Sequence, residues 1–459
     1  MEKVRKEAIQ SFATGFFVTV FLLVLVSIIV SYLFMGHKME FGAIFEADVE
    51  ECPVCGVGRE QFVPVEAETG SGNATQLRYV ILGGGVAAAT AAEAIRARDG
   101  SGEIVMLCGE PVAPYARPML TKGLAKGFDQ AKLMVHPAPW YEERNIRVMT
   151  GETVTDLDLT QRRITCASGL TLTYDRLIYA LGARCFVPPI PGSDLPHVTA
   201  IRSLADAEKV REQALGSTHA AVIGGGVLGL EAAWELRRLG LEVTVLEVMP
   251  QLMSRQLDDL TAQVLARQLA AQGISLKLGA QITRITPDQV ELQSGESIPA
   301  QVVIVSAGVR ANTALAQAAG LTCGRGVTVD EGMRTSDPAV FACGDCAELN
   351  GVNLALWSEA MGQGKTAGAN AAGDSAAYHG ENAPMTMSAL GLSLVSMGDC
   401  GKGEGPYEVV ERPGADELHG CRYWFREGRL CGAILLGEMG KLRTVAKLLD
   451  SGASVHELP

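Results

Sequence analysis

Two glycine-rich turns constrain the fold of this chain more than any other feature. One begins at Gly83 in RYVILGGGVAAATAAEAIRAR and the other begins at Gly224 in AAVIGGGVLGLEAAWELRRLG. Each turn follows a short apolar run and precedes a segment whose apolar residues recur with the period of a helix. A second apolar run then forms a strand that ends at an acidic residue, Glu110 in the first case and Glu247 in the second. The pattern predicts two β-α-β units with parallel strands.

Each unit carries residues suited to binding a dinucleotide. In each unit one residue would make the tight turn, a second would admit a pyrophosphate to the helix N-terminus, and a third would let the helix pack closely on the strand. In that order they are Gly83, Gly85 and Ala88 in the first unit and Gly224, Gly226 and Gly229 in the second. Glu110 and Glu247 would accept hydrogen bonds from ribose hydroxyls. Glycine turns alone can be merely structural, but strand, helix and acid occur together twice. The sequence therefore predicts an α/β protein with two Rossmann-like dinucleotide-binding domains.

Glu247 also distinguishes between the two nicotinamide cofactors. A carboxylate accepts hydrogen bonds from a free ribose 2'-hydroxyl but repels a 2'-phosphate, which would favour an arginine. The next three residues, Val248, Met249 and Pro250, supply no positive charge, and Arg255 is the nearest basic residue after them. We therefore expect the protein to prefer NADH to NADPH.

Three further strings resemble motifs of the FAD-containing pyridine nucleotide-disulfide oxidoreductases. They are YDRLIYALG, which ends at Gly182, VVIVSAGVRAN, which contains Gly308, and TSDPAVFACGD, which ends in Gly344 and Asp345. The resemblance implies that all four residues lie at cofactor sites and that Asp345 binds the ribityl chain of FAD. It also implies a helix beginning near Trp357 whose N-terminal amides face the flavin C2 carbonyl.

The same resemblance implies how the domains are arranged. It covers about residues 77 to 459 and divides them into a discontinuous FAD-binding domain at 77–190 and 320–383, an inserted NAD-binding domain at 191–319, and a small α+β interface domain at 384–459.

The segment PYARPMLTKGL suggests which type of flavoenzyme the chain resembles. Relatives that reduce disulfides or peroxide carry reactive cysteines here or in related positions, and this segment has none. It is similar to NADH-rubredoxin reductases, ferredoxin reductases and the flavin part of nitrite reductases. By that resemblance Arg117 contacts FAD, and Lys122, paired with Glu231, lies near flavin N5. The alternative is that Lys122 and Glu231 are ordinary surface charges. The implied reaction is hydride transfer from NADH to FAD, followed by reduction of a one-electron carrier such as rubredoxin or ferredoxin.

The N-terminus contains an apolar run that is long enough to span a bilayer. No charged residue occurs from Ala8 to Gly36, and we expect a transmembrane helix over 11–36 after a tail at 1–10. A cleaved signal peptide is the alternative, although its apolar region would be shorter. Lys3, Arg5 and Lys6 precede the run, so the positive-inside rule would export the rest of the chain. Cytosolic NADH and eleven cysteines favour the opposite orientation, with the soluble part facing the cytoplasm.

The segment at 37–76 contains half of a metal site. Cys52 and Cys55 form a C-P-x-C-G sequence that resembles the second metal-binding knuckle of rubredoxin, but the first knuckle is missing. Two thiolates do not complete a tetrahedral site for Fe or Zn. The site would need a partner or a second chain in a homodimer. Otherwise the two cysteines are a relic with free thiols or a redox disulfide.

Composition removes one class of function and leaves three hypotheses. A net charge of −13 without a local basic cluster argues against nucleic-acid binding. The leading hypothesis is a membrane-anchored NADH-dependent reductase of an electron carrier. An NADH:quinone reductase and a non-turnover, NADH-responsive flavoprotein that serves as an interaction or assembly factor are the alternatives.

Overall fold

The computed structural model describes residues 75–380 and 384–459 in full. It also describes the backbone of two short strands, His37–Lys38 and Val63–Pro64, which pair antiparallel. Within these residues, no helix combines the length and the apolar character that crossing a bilayer requires. The predicted transmembrane helix at 11–36 lies outside the described residues.

The first sheet has five parallel strands and is built around the first glycine turn. In spatial order the strands are Val340–Ala342, Arg176–Tyr179, Arg78–Leu82, Glu103–Cys108 and Ile146–Thr150. Four of the five residues of Arg78–Leu82 are fully buried, as expected for a central strand covered on both faces. The edge strand Val340–Ala342 returns from a distant part of the chain, so this sheet is discontinuous in sequence.

Two long helices, Val86–Arg98 and Trp357–Ala371, pack against each other beside the first sheet. Their close approach depends on two glycines in the second helix. A Cβ atom at Gly364 would lie 2.4 Å from the backbone oxygen of Ala87, and one at Gly368 would lie 2.3 Å from that of Ala91. Both distances are too short for any side chain, so only glycine allows this contact.

The second sheet also has five parallel strands and contains the second glycine turn. In spatial order the strands are Val198–Thr199, Val302–Val305, His219–Ile223, Glu242–Glu247 and Ile274–Leu278. The helices of this segment are Leu204–Leu215, Val227–Arg238, Asp259–Ala271 and Ala314–Ala318. These two parallel sheets with their helices confirm the predicted α/β class with Rossmann-type units.

The third sheet is antiparallel and lies near the C-terminus. In spatial order its strands are Met385–Ala389, Leu392–Gly398, Arg429–Leu436, Gly420–Arg426 and Glu408–Pro413. The helix Leu442–Ser451 packs on it and buries Val445 and Leu449. The predicted domain limits are not tested by these elements and stay a prediction.

Smaller elements connect the three sheets. Two three-stranded antiparallel sheets are formed by Val154–Asp158, Arg163–Cys166 and Thr171–Thr173, and by Ile282–Ile285, Gln289–Leu292 and Ser297–Pro299. Two-stranded pairs are formed by Ala183–Cys185 with Val309–Ala311 and by Val327–Val329 with Ala347–Leu349. Short helices span Met119–Lys122, Gln130–Leu133 and Ala138–Glu143.

Candidate functional site

The first glycine turn forms an open cradle at the start of a helix. Gly83 has φ +133°, and a Cβ atom there would lie 2.1 Å from the backbone oxygen of Ala180, so no other residue fits. Gly85 caps the helix Val86–Arg98, and a Cβ atom at this position would meet no atom within 4 Å. The free amides of the helix N-terminus therefore face accessible space, which suits a phosphate group. Ala88 is fully buried in the helix interface, as its predicted packing role requires.

The second glycine turn is built in the same way. Gly224 has φ +115°, and a Cβ atom there would lie 2.2 Å from the backbone oxygen of Ser306. A Cβ atom added at Gly229 would lie 2.1 Å from the backbone oxygen of Gly224, whereas one added at Gly226 would meet no atom within 4 Å. The turn therefore has one glycine for the bend, one for packing and one free for a ligand.

Glu247 is held against the second turn by two backbone hydrogen bonds. Its Oε2 accepts from the Gly225 amide at 2.6 Å, and its Oε1 accepts from the Met249 amide at 2.8 Å. These bonds fix the carboxylate at the end of the strand Glu242–Glu247, where the sequence places a ribose.

Most of the predicted site residues line one cavity of about 740 Å³. Its wall contains Gly83, Gly85, Glu110, Arg117, Lys122, Gly182, Glu231, Gly344, Asp345 and Trp357. The turns that follow strands of the first sheet, the helix of the second glycine turn and a strand of the third sheet all contribute to this wall. Ala88, Gly224, Gly226, Gly229, Glu247 and Gly308 lie outside it. Val227 and Leu228 bring the second glycine turn to the cavity edge.

Glu110 is held by two partners from the PYARPMLTKGL segment. Arg117 donates to Glu110 Oε1 at 2.6 Å, and the hydroxyl of Tyr115 donates to Oε2 at 2.7 Å. The strand Glu103–Cys108 ends two residues before Glu110, so the acid lies in the turn after the strand and not at its end. This corrects the sequence interpretation.

Lys122 and Glu231 form a buried ion pair, which excludes the interpretation that they are surface charges. Lys122 Nζ lies 3.5 Å from Glu231 Oε1, and the side chains are only 13% and 4% exposed. The Thr121 hydroxyl donates to Glu231 Oε2 at 2.8 Å. Burial raises the pKa of Glu231, and the positive charge of Lys122 opposes that rise. The pair joins the short helix Met119–Lys122 to the helix of the second glycine turn.

Asp345 lies in the cavity wall and has one oxygen available. Arg202 donates to its Oδ2 at 2.7 Å, while Oδ1 accepts no hydrogen bond from the residues that the structure describes. The preceding Gly344 has φ +76°, and its amide donates to the side chain of Gln363 at 2.9 Å. The indole N–H of Trp357 is buried and has no acceptor among the described residues. Both unsatisfied groups are suited to a polar ligand.

The cavity wall also contains two thiols that the sequence did not assign to the site, Cys185 and Cys343. Cys185 Sγ donates to the backbone oxygen of Ile201 at 3.6 Å, and burial raises the pKa of its thiol. Both cysteines are free, and no cluster of metal-binding side chains occurs within the described part of the chain. Cys185 has no cysteine close to it in the sequence. Cys343 and Cys346 have a C-x-x-C spacing, but Ala347 follows it where a metal-binding knuckle has glycine. Cys52 and Cys55 lie outside the described residues.

The residues of the cavity fit FAD. The open amides beside Gly85 suit its pyrophosphate, Glu110 suits a ribose, and the free oxygen of Asp345 suits a hydroxyl of the ribityl chain. The unsatisfied indole N–H of Trp357 suits an acceptor on the ring system.

Comparison with known proteins agrees with this fit. The profile of the pyridine nucleotide-disulphide oxidoreductases matches residues 77–364. The chain belongs to this family. Its members are NAD(P)H-dependent FAD oxidoreductases, so the predicted enzyme class is confirmed.

Individual relatives indicate which branch of the family is similar. Rubredoxin-NAD(+) reductase of Pseudomonas putida is 35% identical over 277 residues, which are 59% of this chain and 72% of that protein. Nitrite reductase [NAD(P)H] of Bacillus subtilis is 31% identical over 387 residues, covering 83% of this chain and 48% of the relative. This chain thus spans about half the length of the nitrite reductase. The crystal structure of a ferredoxin reductase from Rhodopseudomonas palustris superimposes with a TM-score of 0.78 at 28% identity, covering 82% and 95% of the two chains.

Proposed function

We propose that this protein transfers a hydride from NADH to FAD and then passes electrons to a one-electron carrier such as rubredoxin or ferredoxin. The observation that carries the proposal is the buried Lys122–Glu231 pair in the wall of the cavity. A buried cation needs a counter-charge, and Glu231 supplies one. The pair therefore keeps a positive charge at a fixed place in a largely apolar wall.

The chemistry of the site divides between the cofactor and the protein. FAD, when bound, supplies the hydride acceptor and can release electrons singly. The protein binds the cofactor through the first glycine turn, Glu110 and Asp345, and it orients the nicotinamide nucleotide through the second turn and Glu247. Because the carboxylate of Glu247 is already fixed by two amides, it meets a ribose without reorganisation, and this supports NADH as the reductant.

The thiols of the cavity support an electron carrier and not a disulfide as the acceptor. Disulfide reduction needs two thiols that can bond to each other, and one of them must ionise readily. Cys185 and Cys343 are both free, and burial raises the pKa of each thiol. Cys346 lies three residues after Cys343, but it is also fully buried and burial raises its pKa too. None of these thiols is suited to act as a nucleophile at neutral pH.

The N-terminal segments add a membrane location to the proposal. The apolar run at 11–36 would anchor the chain, with the soluble part facing the cytoplasm where NADH is available. Cys52 and Cys55 would form a metal half-site completed by a partner or by a second chain.

The experiment is an acceptor panel with the purified full-length protein in detergent. We expect bound FAD, rapid bleaching of the flavin by NADH under anaerobic conditions, and steady-state reduction of a rubredoxin or a ferredoxin. Faster turnover with a soluble quinone would assign the protein as a quinone reductase. Flavin that NADH reduces but that no acceptor reoxidises at a catalytic rate would instead indicate an interaction or assembly factor.

A further inference from the structure

Arg202 contacts the flavin site although it lies between the strand Val198–Thr199 of the second sheet and the helix Leu204–Leu215. Its guanidinium lines the cavity and donates to Asp345 Oδ2 at 2.7 Å. The two side chains are 30% and 16% exposed, so the contact is partly shielded from water. An arginine–carboxylate hydrogen bond of this kind is among the stronger ones in proteins. It leaves Asp345 Oδ1 without a partner among the described residues.

The backbone of Arg202 is fixed on both sides. Its amide donates to Asp206 Oδ2 at 3.1 Å, and the Ser203 and Asp206 side chains form a capping box at the start of the helix Leu204–Leu215. Its carbonyl accepts from Arg117 Nη1 at 2.7 Å. The position of the guanidinium therefore depends on the helix start and on Arg117 together.

These contacts form a continuous chain across the cavity. Glu110 is bonded to Arg117, Arg117 to the backbone of Arg202, and the side chain of Arg202 to Asp345. The two carboxylates that the sequence assigns to opposite parts of FAD are thus connected through two arginines. The Tyr115 hydroxyl strengthens the same network, because it also accepts from the Leu204 amide at 3.0 Å.

We propose that Arg202 is a positioning residue of the flavin site, which holds Asp345 ready for the ribityl chain and couples FAD binding to the start of the helix Leu204–Leu215. The inference rests on the proposed function, because it requires that the cavity binds FAD. Its physical basis is orientation. With Oδ2 fixed by Arg202, the Asp345 carboxylate cannot rotate freely, and Oδ1 is presented to the ligand without an entropic cost at binding.

The test is a double-mutant cycle with Arg202→Gln and Asp345→Asn, measured as FAD affinity of the flavin-free full-length protein by quenching of flavin fluorescence. A charge-assisted hydrogen bond is worth enough to change affinity roughly 10- to 100-fold, so we expect each single variant to bind FAD more weakly by about that factor. If Arg202 acts through Asp345, the double variant binds only about as weakly as Asp345→Asn alone. If the loss of FAD affinity in the double variant equals the product of the losses in the two single variants, the proposal is overturned.

Arg184→Gln is the matched control. Arg184 lines the same cavity but is exposed, and its side chain donates to the backbone oxygen of Ala311 at 3.4 Å and to no carboxylate among the described residues. Removing its charge should weaken FAD binding less than roughly threefold, and its effect should multiply with that of Asp345→Asn. An effect as large as that of Arg202→Gln would mean that only the overall charge of the wall matters.

Hydrogen exchange tests the coupling to the helix separately. In the wild-type protein, FAD should slow exchange of the amides at 204–207, and in Arg202→Gln saturating FAD should not. A merely structural role would raise exchange equally with and without FAD, which would contradict the proposal. If Arg202→Gln does not fold, Arg202→Met, whose side chain cannot donate to Asp345, carries the same measurements, and unchanged FAD affinity in that folded variant refutes the inference. Failure of the wild-type chain to bind FAD would instead refute the proposed function.

Discussion

A buried carboxyl next to the flavin site should make the stability of this protein fall as the pH rises. Glu359 lies in the first turn of the helix Trp357–Ala371 and is 7% exposed. Burial raises its pKa to about 7 from an ordinary 4.5, the nearby charge of Asp345 adds to the rise, and a hydrogen bond from the Leu354 amide opposes it. The carboxyl is therefore easier to ionise in the unfolded chain than in the folded protein.

The sign of the effect follows from which state releases its proton first. Below about pH 4.5 Glu359 is protonated in both states, and its ionisation has no influence on stability. Between about pH 4.5 and pH 7 the unfolded chain loses the proton while the folded protein keeps it, which favours unfolding. One pH unit corresponds to about 1.4 kcal/mol, so the folded protein should lose up to about 3 kcal/mol from this residue across that interval.

The variant Glu359→Gln removes this penalty and keeps a side chain of similar size. We expect the variant to have a higher free energy of unfolding than the wild type at pH 8. At pH 4.5 the variant's free energy of unfolding minus that of the wild type should be lower than at pH 8, by up to about 3 kcal/mol. Urea unfolding at both pH values, with excess FAD added to both proteins, measures that difference. Glu404→Gln, at an exposed position, is the matched control and should show no such change. A difference between Glu359→Gln and the wild type that does not vary with pH would refute the reasoning.

Four further predictions test other parts of the structure. The kcat/KM for NADPH should be at least roughly 10-fold below that for NADH. Glu247→Gln should bring the two kcat/KM values closer together, because repulsion of the 2'-phosphate is removed. Equal kcat/KM values for the two nucleotides in the wild type would contradict this prediction. Cys185→Ser should leave the rate of flavin reduction by NADH nearly unchanged in stopped-flow traces, since burial keeps this thiol protonated; loss of that half-reaction would assign the thiol a catalytic role. Gly368→Ala should lower the free energy of unfolding by roughly 1–3 kcal/mol, because its Cβ would lie 2.3 Å from a backbone oxygen of the neighbouring helix. Gly216→Ala is the control: its Cβ would meet no atom closer than 3.9 Å, so it should lower the free energy of unfolding by less. Any tightly bound iron should amount to about one atom per two chains and disappear in Cys52→Ser without loss of FAD, because two thiolates fill only half of a tetrahedral site; one iron per chain would mean that another ligand pair completes it.

The sequence by itself determined the two glycine-turn units. Their signals are local: a strand, a turn, a helix and an acid within about 30 residues specify a β-α-β unit wherever it occurs. Gly83 and Gly224 illustrate this, because each lies between a strand and a helix of its own unit and has positive φ. The sequence also predicted that Lys122 and Glu231 form a pair, but only by resemblance, since nothing in the local pattern connects them.

Apart from the Lys122–Glu231 pair, only the tertiary structure decided how the charges of the cavity are paired. Arg202 and Asp345 are 143 positions apart, and no periodicity links them. Glu359 has a raised pKa because the packed helix removes it from water, and its position in a helical pattern does not reveal that. The close contact at Gly364 and Gly368 likewise depends on a helix that precedes them by more than 250 residues. Hydrophobic period and turn chemistry act between neighbours along the chain, whereas ion pairing and desolvation depend on which distant segments the fold brings together.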